Sequence, residues 1–198
     1  MALAAIGRHR KTRAWWHWGR CWAQSDVLER RKEIVPRLRD FEQQGDLVFC
    51  ESAAQQEAEI VAICQQFHLA GLLPEASGIG LDSAGVATLV DALADAGMTQ
   101  PLVAAVSQGW KLQAAVLTLP RKLKDRTMLH GGRPIMQWQV GNAKQELKGS
   151  NYMVTKQAAG SAKIDLLMAT FNAAMLMFLN PVATGNIGDF LADPIVVC

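Results

Sequence analysis

The sequence predicts an α/β fold in which helices cover both faces of a sheet. In the middle of the chain, short apolar runs at Leu47–Cys50, 78–81 and 102–106 have the length of strands. Each run is followed by a longer segment whose apolar residues recur with helical spacing. Strands that alternate with helices in this way are typical of a sheet packed between helices.

The bulk composition is that of an ordinary globular protein. The 198 residues suffice for one domain with a core, and we assign 1–181 to that domain and 182–198 to a C-terminal tail. Half of the residues are apolar and 19% are charged. The net charge of +2 does not exclude nucleic acid as a partner, because the distribution of charge matters more than its sum.

Targeting signals and disulfides are not indicated. No apolar run approaches the ~20 residues of a membrane span, so we expect no membrane partner. The N-terminus is apolar first and basic second, which is the reverse of a secretory signal. The four cysteines form no CxxC pair and no zinc-finger spacing, so we expect reduced thiols and a cytoplasmic location in a bacterial host.

The first half of the chain predicts a hairpin and two helices. Residues 1–6 and the tryptophan-rich 13–23 form the two strands of the hairpin. A helix over 26–44 is interrupted by a kink at Pro36 and ends at Gly45. Ser52 caps a further helix that ends near residue 69.

The second half predicts two buried strands, three helices and one irregular stretch. The strand at 78–81 ends at Asp82, and a helix over 85–96 stops at Gly97. A helix over 110–123 contains Pro120, which should kink or break it. We expect short strands within 130–157, with 152–155 the best candidate, and a final helix from 164 to 180.

Asp82 is the first candidate site residue. It follows an apolar strand, and ligands of open α/β sheets bind at the carboxyl ends of strands. The alternative is that Asp82 caps the next helix.

Asp165 is the second candidate, at the start of a helix so apolar that it must be packed inside. It is either a favourable anion in a first helical turn or half of a carboxylate pair with Asp82. Such a pair suits a divalent metal ion.

Basic residues are concentrated just before Asp165. Six Lys or Arg and one acid, Glu146, lie between residues 126 and 163. The lysines that we expect to contact DNA phosphates are Lys144, Lys148, Lys156 and Lys163. A solvated surface explains the same residues equally well. The basic cluster at residues 8–13 is most simply a solvated hairpin tip.

For His130 and the tryptophans, we prefer a structural role to a functional one. His130 suits a turn better than a metal ligand. Trp16, Trp18 and Trp22 share one face of their strand, a pattern that indicates core more than a base-stacking platform. No GxxxxGK[ST] phosphate loop and no GxSxG motif occur, so ATP binding through such a loop and serine hydrolysis are not supported.

Six short segments, in order and with suitable spacing, resemble one known family. They are GIGLDSAGV at 78–86, SQGWK at 107–111, LHGGRP at 129–134, QWQVGN at 137–142, TKQ at 155–157 and KID at 163–165. Together they are similar to the C-terminal half of phage terminase large subunits, over roughly residues 1–181. Each piece alone is weak, whereas the ordered set is fairly specific.

The resemblance implies an RNase H-like nuclease with a mixed sheet flanked by helices. Members of the family cut concatemeric double-stranded DNA with two divalent metals, Mg²⁺ or Mn²⁺, held by acids. Asp82 and Asp165 match two of these catalytic and metal-binding acids. The third acid lies on the first, central strand, which has no counterpart here because no Asp or Glu precedes Asp26. We therefore expect that central strand to be missing and the site to be incomplete.

The resemblance also implies partners, namely double-stranded phage DNA, a portal protein and a small terminase subunit. A gene fragment, a decayed prophage remnant and a wrongly chosen start would all give this sequence. Two further functions stay open. One is a non-catalytic DNA-binding or assembly remnant of a prophage, and the other is a generic α/β binder of a nucleotide or small molecule.

Overall fold

The structure is a computed structural model that describes residues 1–82, 84–157 and 163–185. Its strands are β1 (Ala2–Arg8), β2 (Trp15–Gln24), β3 (Leu47–Cys50), β4 (Ile79–Asp82), β5 (Val103–Val106), β6 (Met128–His130), β7 (Ala143–Lys148) and β8 (Asn151–Lys156). Its α-helices are α1 (Val27–Arg30), α2 (Val35–Gln43), α3 (Ala53–Leu69), α4 (Ala87–Asp95), α5 (Gln113–Lys124), α6 (Pro134–Gly141) and α7 (Asp165–Phe178). The predicted mixed α/β architecture with flanking helices is confirmed.

The strands form three separate groups. β2 pairs antiparallel with β1 on one edge, and its other edge pairs parallel with β6 at its start and with β3 at its end. β4 and β5 form a parallel pair of their own, and β7 and β8 form an antiparallel hairpin. Among the described residues, β1 is an outer strand, and no backbone hydrogen bond joins it to β4.

Helix α7 packs against both β2 and β4. A Cβ placed on Gly19 of β2 would lie 2.6 Å from Leu166, and one on Gly80 of β4 would lie 2.9 Å from Leu176. Both glycines therefore let α7 approach the backbone of a strand closely. Helices α3 and α4 pack on the opposite face, where Trp22, Ile79 and Leu93 share one apolar cluster.

Three local predictions were corrected. Residues 26–44 form α1, a 3₁₀ turn and α2 instead of one kinked helix, because Pro36 lies in the first turn of a new helix, where it is well tolerated. Pro120 lies on the exposed side of α5, and the helix continues to Lys124. The missed helix α6 begins with Pro134, and its flanking glycines had indicated irregular structure.

The predicted tail at 182–198 is described only as far as residue 185. The Thr184 N–H donates to the carbonyl of Leu73 at 3.0 Å, and the Gly185 N–H donates to that of Gly71 at 2.7 Å. The start of the tail is therefore attached to the loop after α3, and residues 186–198 lie outside the described part.

Candidate functional site

Asp82 ends β4, as the sequence predicted. Its half-exposed carboxylate accepts the N–H of Ala84 at 3.1 Å, and its backbone pairs with Val106 of β5. The N-cap of α4 is Val86, which has no side-chain cap, so Asp82 does not cap that helix. Within the described part of the chain, the carboxylate therefore stabilises the turn after the strand and keeps acceptor capacity for a ligand.

The outer edge of β4 faces away from β5. Ile79 donates its N–H to the carbonyl of Leu102 at 3.1 Å. Since residues of a strand alternate, the backbone groups of Gly80 and Asp82 point to the other edge. Asp82 therefore stands at the end of an edge that pairs with no described strand.

The outer edge of β1 likewise pairs with no strand within residues 1–82, 84–157 and 163–185. Met1 and Trp22 exchange two backbone hydrogen bonds of 2.8 and 2.9 Å. In an antiparallel pair such positions alternate, so the N–H and C=O groups of Ala2, Ala4 and Ile6 point away from β2. None of the residues of β1 is fully buried, although the strand is almost entirely apolar.

Asp165 is the first residue of α7 and is exposed between the buried Ile164 and Leu166. An anion in a first helical turn is favoured by the helix dipole, so this position has a structural role available without any ligand. Asp165 also lines a cavity of about 260 Å³ next to β2 and α6, together with Lys163 and Cys21. Asp82 does not line this cavity.

Gln139 of α6 and Asn142, the residue directly after α6, position the start of α7. The side-chain carbonyl of the buried Gln139 accepts the N–H of Leu166 at 2.6 Å, and its amide donates to the sulfur of Cys21 at 3.4 Å. The amide of Asn142 donates to the backbone carbonyl of Lys163 at 3.0 Å. Sequence patterns alone gave neither residue a role. The sequence signal that could have identified them is their position in QWQVGN, directly before the lysine-rich segment.

The four lysines expected to contact DNA do not share one face. Lys144 and Lys148 lie on the same face of β7, and Glu146 stands between them and pairs with Lys144 at 3.1 Å. Lys156 is opposite Ala143 in the register and therefore points to the other face of the hairpin. Lys163 lies apart from the hairpin, beside Asp165.

The remaining candidates have mainly structural roles. His130 accepts the N–H of Gly132 at 3.1 Å, which agrees with a turn histidine. Of the tryptophans on one face of β2, Trp22 is 2% exposed, whereas Trp16 is 57% exposed, so the core assignment was wrong for Trp16. Of the four cysteines, Cys21, Cys50 and Cys64 are free and buried, and burial raises the pKa of Cys21 to about 12.

The described residues do not by themselves fit a metal cluster. Within 1–82, 84–157 and 163–185, no three His, Cys, Asp or Glu residues come together as ligands. A two-metal centre holds its two ions about 3.5–4 Å apart, bridged by shared carboxylates. Asp82 and Asp165 would have to be joined by further ligands.

No described helix is long and apolar enough to cross a membrane.

Comparison with solved structures gives one informative likeness. The chain is similar to the crystal structure of the HK97 bacteriophage large terminase, with a TM-score of 0.66 and 17% sequence identity. The alignment covers 87% of this chain and 38% of that protein, so the chain spans well under half of its length. No protein-family model and no curated protein sequence matches the chain. At this identity the likeness shows a terminase-like fold.

Proposed function

We propose that the chain is the nuclease part of a DNA-packaging large terminase and that it does not cut DNA by itself. The observation that carries the proposal is the fold likeness to a phage large terminase over 87% of the chain. The position of Asp82 at the free edge of β4 adds the chemical argument. A carboxylate at the carboxyl end of a strand is where an α/β sheet offers ligands to a substrate or ion.

The unpaired edges of β1 and β4 support the expectation of a missing central strand. A strand between them would pair with Ala2, Ala4 and Ile6 on one side and with Gly80 and Asp82 on the other. Helix α7, which packs against both β2 and β4, would cover such a strand. An acid on such a strand would stand beside Asp82 and would supply the ligand that the described residues lack.

In this arrangement each candidate residue has a definite task. Asp82 and Asp165 would hold Mg²⁺ or Mn²⁺, which in such sites activates water and stabilises the leaving oxygen. Gln139 and Asn142 fix the start of α7 and so position Asp165. Lys163 and the lysines of one hairpin face, either Lys144 with Lys148 or Lys156, would contact the phosphates of double-stranded DNA. Portal protein and small terminase subunit are the proposed protein partners, and the bacterial cytoplasm is the proposed location.

The deciding experiment compares two forms of the protein on supercoiled plasmid DNA with Mn²⁺ and with Mg²⁺. The chain alone should leave the plasmid intact. The chain extended by the sequence encoded directly upstream, if that sequence supplies an apolar strand with an Asp, should cut it. In the extended form, Asp82→Asn and Asp165→Asn should each abolish cutting.

Two outcomes would contradict the proposal. Cutting by the chain alone that Asp82→Asn stops would mean that a complete site already exists. Cutting by the extended form that survives replacement of both aspartates would remove them from the site. Asp91→Asn, at an exposed position of α4, is the matched control, because it removes a nearby carboxylate from outside the candidate site.

A second candidate is a non-catalytic DNA-binding or assembly remnant. It is favoured by the lack of a three-ligand group among the described residues. Salt-dependent DNA binding by both forms, with no cutting by either form, would select it.

A further inference from the structure

A group of basic segments meets at the end of the molecule opposite Asp165. Trp15 donates its N–H to the carbonyl of Thr127 at 2.8 Å, which ties the β1–β2 turn to the loop after α5. The Lys122 ammonium lies 4.3 Å from the Trp15 ring, and the Phe178 ring is 5.8 Å away. The β1–β2 turn and the C-terminal ends of α5 and α7 are therefore neighbours. We call residues 8–14 and 121–127 together the basic end.

The basic end carries a large excess of positive charge. Its two segments contain one acid, Asp125, and eight basic residues: Arg8, Arg10, Lys11, Arg13, Arg121, Lys122, Lys124 and Arg126. Most of these side chains are exposed. A charge density of this kind on one end is not apparent from the net charge of +2 for the whole chain.

Within the described part of the chain, the hydrogen-bond acceptors of Arg8 and Arg13 are uncharged. Arg8 and Arg13 donate to the same side-chain oxygen of Asn180, at 2.6 and 2.9 Å, and Arg8 also donates to the carbonyl of Pro181 at 2.6 Å. These acceptors carry no formal charge. Burial and the neighbouring charge of Arg13 lower the pKa of Arg8, as expected where guanidinium groups converge.

The helix ends explain only part of the pattern. Cations are favoured at helix C-termini, and two of these lie here. Each helix end is equivalent to about −0.5 elementary charge, so both together offset about one of the excess cations. The two helix ends therefore do not account for the charge of the basic end.

We propose that the basic end binds the phosphate backbone of double-stranded DNA, as a contact separate from the β7–β8 hairpin. The composition favours nucleic acid over an acidic protein. Protein interfaces have a core depleted of charge, whereas DNA interfaces are polar and strongly positive. The choice of duplex DNA rests on the proposed function, but binding here requires no cleavage.

The length of α7 fixes the separation of this contact from Asp165. Asp165 begins the helix and Phe178 ends it beside Trp15. Its 14 residues span about 21 Å at 1.5 Å per residue. That distance corresponds to about six base pairs of a duplex at 3.4 Å per step. A duplex that lies on the surface parallel to α7 and passes Asp165 would therefore reach the basic end within less than one helical turn.

The test measures binding of the whole chain to a labelled duplex of about 30 base pairs, roughly three helical turns, by fluorescence anisotropy without divalent metal. The test variant is Lys11→Glu with Arg121→Glu and Lys124→Glu, all exposed and none bonded to Asn180 or Trp15. The control variant is Lys32→Glu with Arg37→Glu and Arg39→Glu, which changes the net charge equally near and on α2.

The test variant should bind at least ~10-fold more weakly than wild type. The slope of the logarithm of the binding constant against the logarithm of salt concentration should become less negative by about 2 to 3. The control variant should stay within ~3-fold of wild type. Replacement of the same three test residues by Gln should give a smaller loss in the same direction. Thermal unfolding verifies that each variant is folded.

Three results would overturn the inference. Equal losses in the test and control variants would mean that only net charge matters. Unchanged DNA binding by both test variants would exclude the basic end. Unchanged DNA binding together with lost binding to polyglutamate would assign the surface to an acidic protein segment. Charge reversal of Lys144, Lys148 and Lys156 separates this inference from the proposed function: if that variant and the basic-end variant both bind normally, the DNA-binding function itself fails.

Discussion

The side-chain carbonyl of Gln139 accepts the backbone N–H of Leu166 at 2.6 Å, so a residue of one helix caps the start of another. It also lies 3.4 Å from the N–H of Leu167. The first N–H groups of a helix have no partner within the helix. Here they are satisfied by a buried amide, which fixes the first turn of α7 and with it the backbone of Asp165.

Gln139→Leu should destabilise the protein by about 1–3 kcal/mol, because the buried N–H of Leu166 loses its acceptor. Urea unfolding measures the change. Gln137→Leu is the control, since Gln137 is exposed on the same helix and should change stability by less than about 0.5 kcal/mol. Equal effects of the two substitutions would show that the cap contributes nothing.

The ion pair between Asp46 and Arg133 should respond asymmetrically to substitution. Asp46 is 1% exposed, and its Oδ1 lies 3.1 Å from Nε of Arg133 without the geometry of a directed hydrogen bond. Arg133→Met would leave a buried carboxylate without its cation and should cost about 3 kcal/mol. Asp46→Asn should cost less, because the half-exposed guanidinium of Arg133 can turn to water. Chemical denaturation of both variants gives the comparison, and a larger loss for Asp46→Asn would contradict it.

His17 should make the protein less stable at acidic pH. Burial, and then the charge of His130, lower the pKa of His17 from 6.5 to about 4. The Thr170 hydroxyl donates to Leu166 at 2.8 Å, so its oxygen is the acceptor for His17 at 2.9 Å. Between pH 6.5 and 4 the unfolded chain binds a proton that the folded protein does not bind. Stability should therefore fall as pH decreases through this window, by up to about 3 kcal/mol.

The measurement is the free energy of unfolding of wild type and His17→Gln at several pH values from 7 to 4. Carboxylates contribute to both proteins alike, so the difference between the two curves reports His17. Parallel curves would show that His17 has an ordinary pKa in the folded state.

Charge reversal on the hairpin should weaken DNA binding in proportion to the phosphates contacted. We expect Lys148→Glu to reduce affinity more than Lys144→Glu, because Lys144 is already paired with Glu146 at 3.1 Å. Lys144 and Lys148 share one face and Lys156 points to the other. A duplex that contacts one face should therefore be sensitive to either Lys156 or the β7 lysines, but not equally to both. Salt titration of each single variant measures this, and salt-independent binding would exclude phosphate contacts.

Local patterns in the sequence were sufficient for most strands and several helices. The strand Leu47–Cys50 and the helix capped by Ser52 were predicted at the correct positions, because apolar runs and the cap are local signals. Helix α6 was missed because its stability depends on contacts far along the chain. At its start, Asp46 pairs with Arg133 and accepts the N–H of Ile135. Further along the helix, Gln139 contacts α7.

The sequence by itself determined the alternation of strands and helices, the placement of Asp82 after a strand and of Asp165 at a helix start, and the basic composition around residues 144–163. These follow from periodicity, caps and counts, which involve residues close together in the chain. Only the tertiary structure decided that β1 and β4 each have an edge that pairs with no described strand. It also decided that Trp16 is exposed while Trp22 is buried, and that two basic segments more than 100 residues apart meet at Trp15. Such relationships depend on strand register and helix packing, and chain-local preferences carry no information about which distant surfaces will meet.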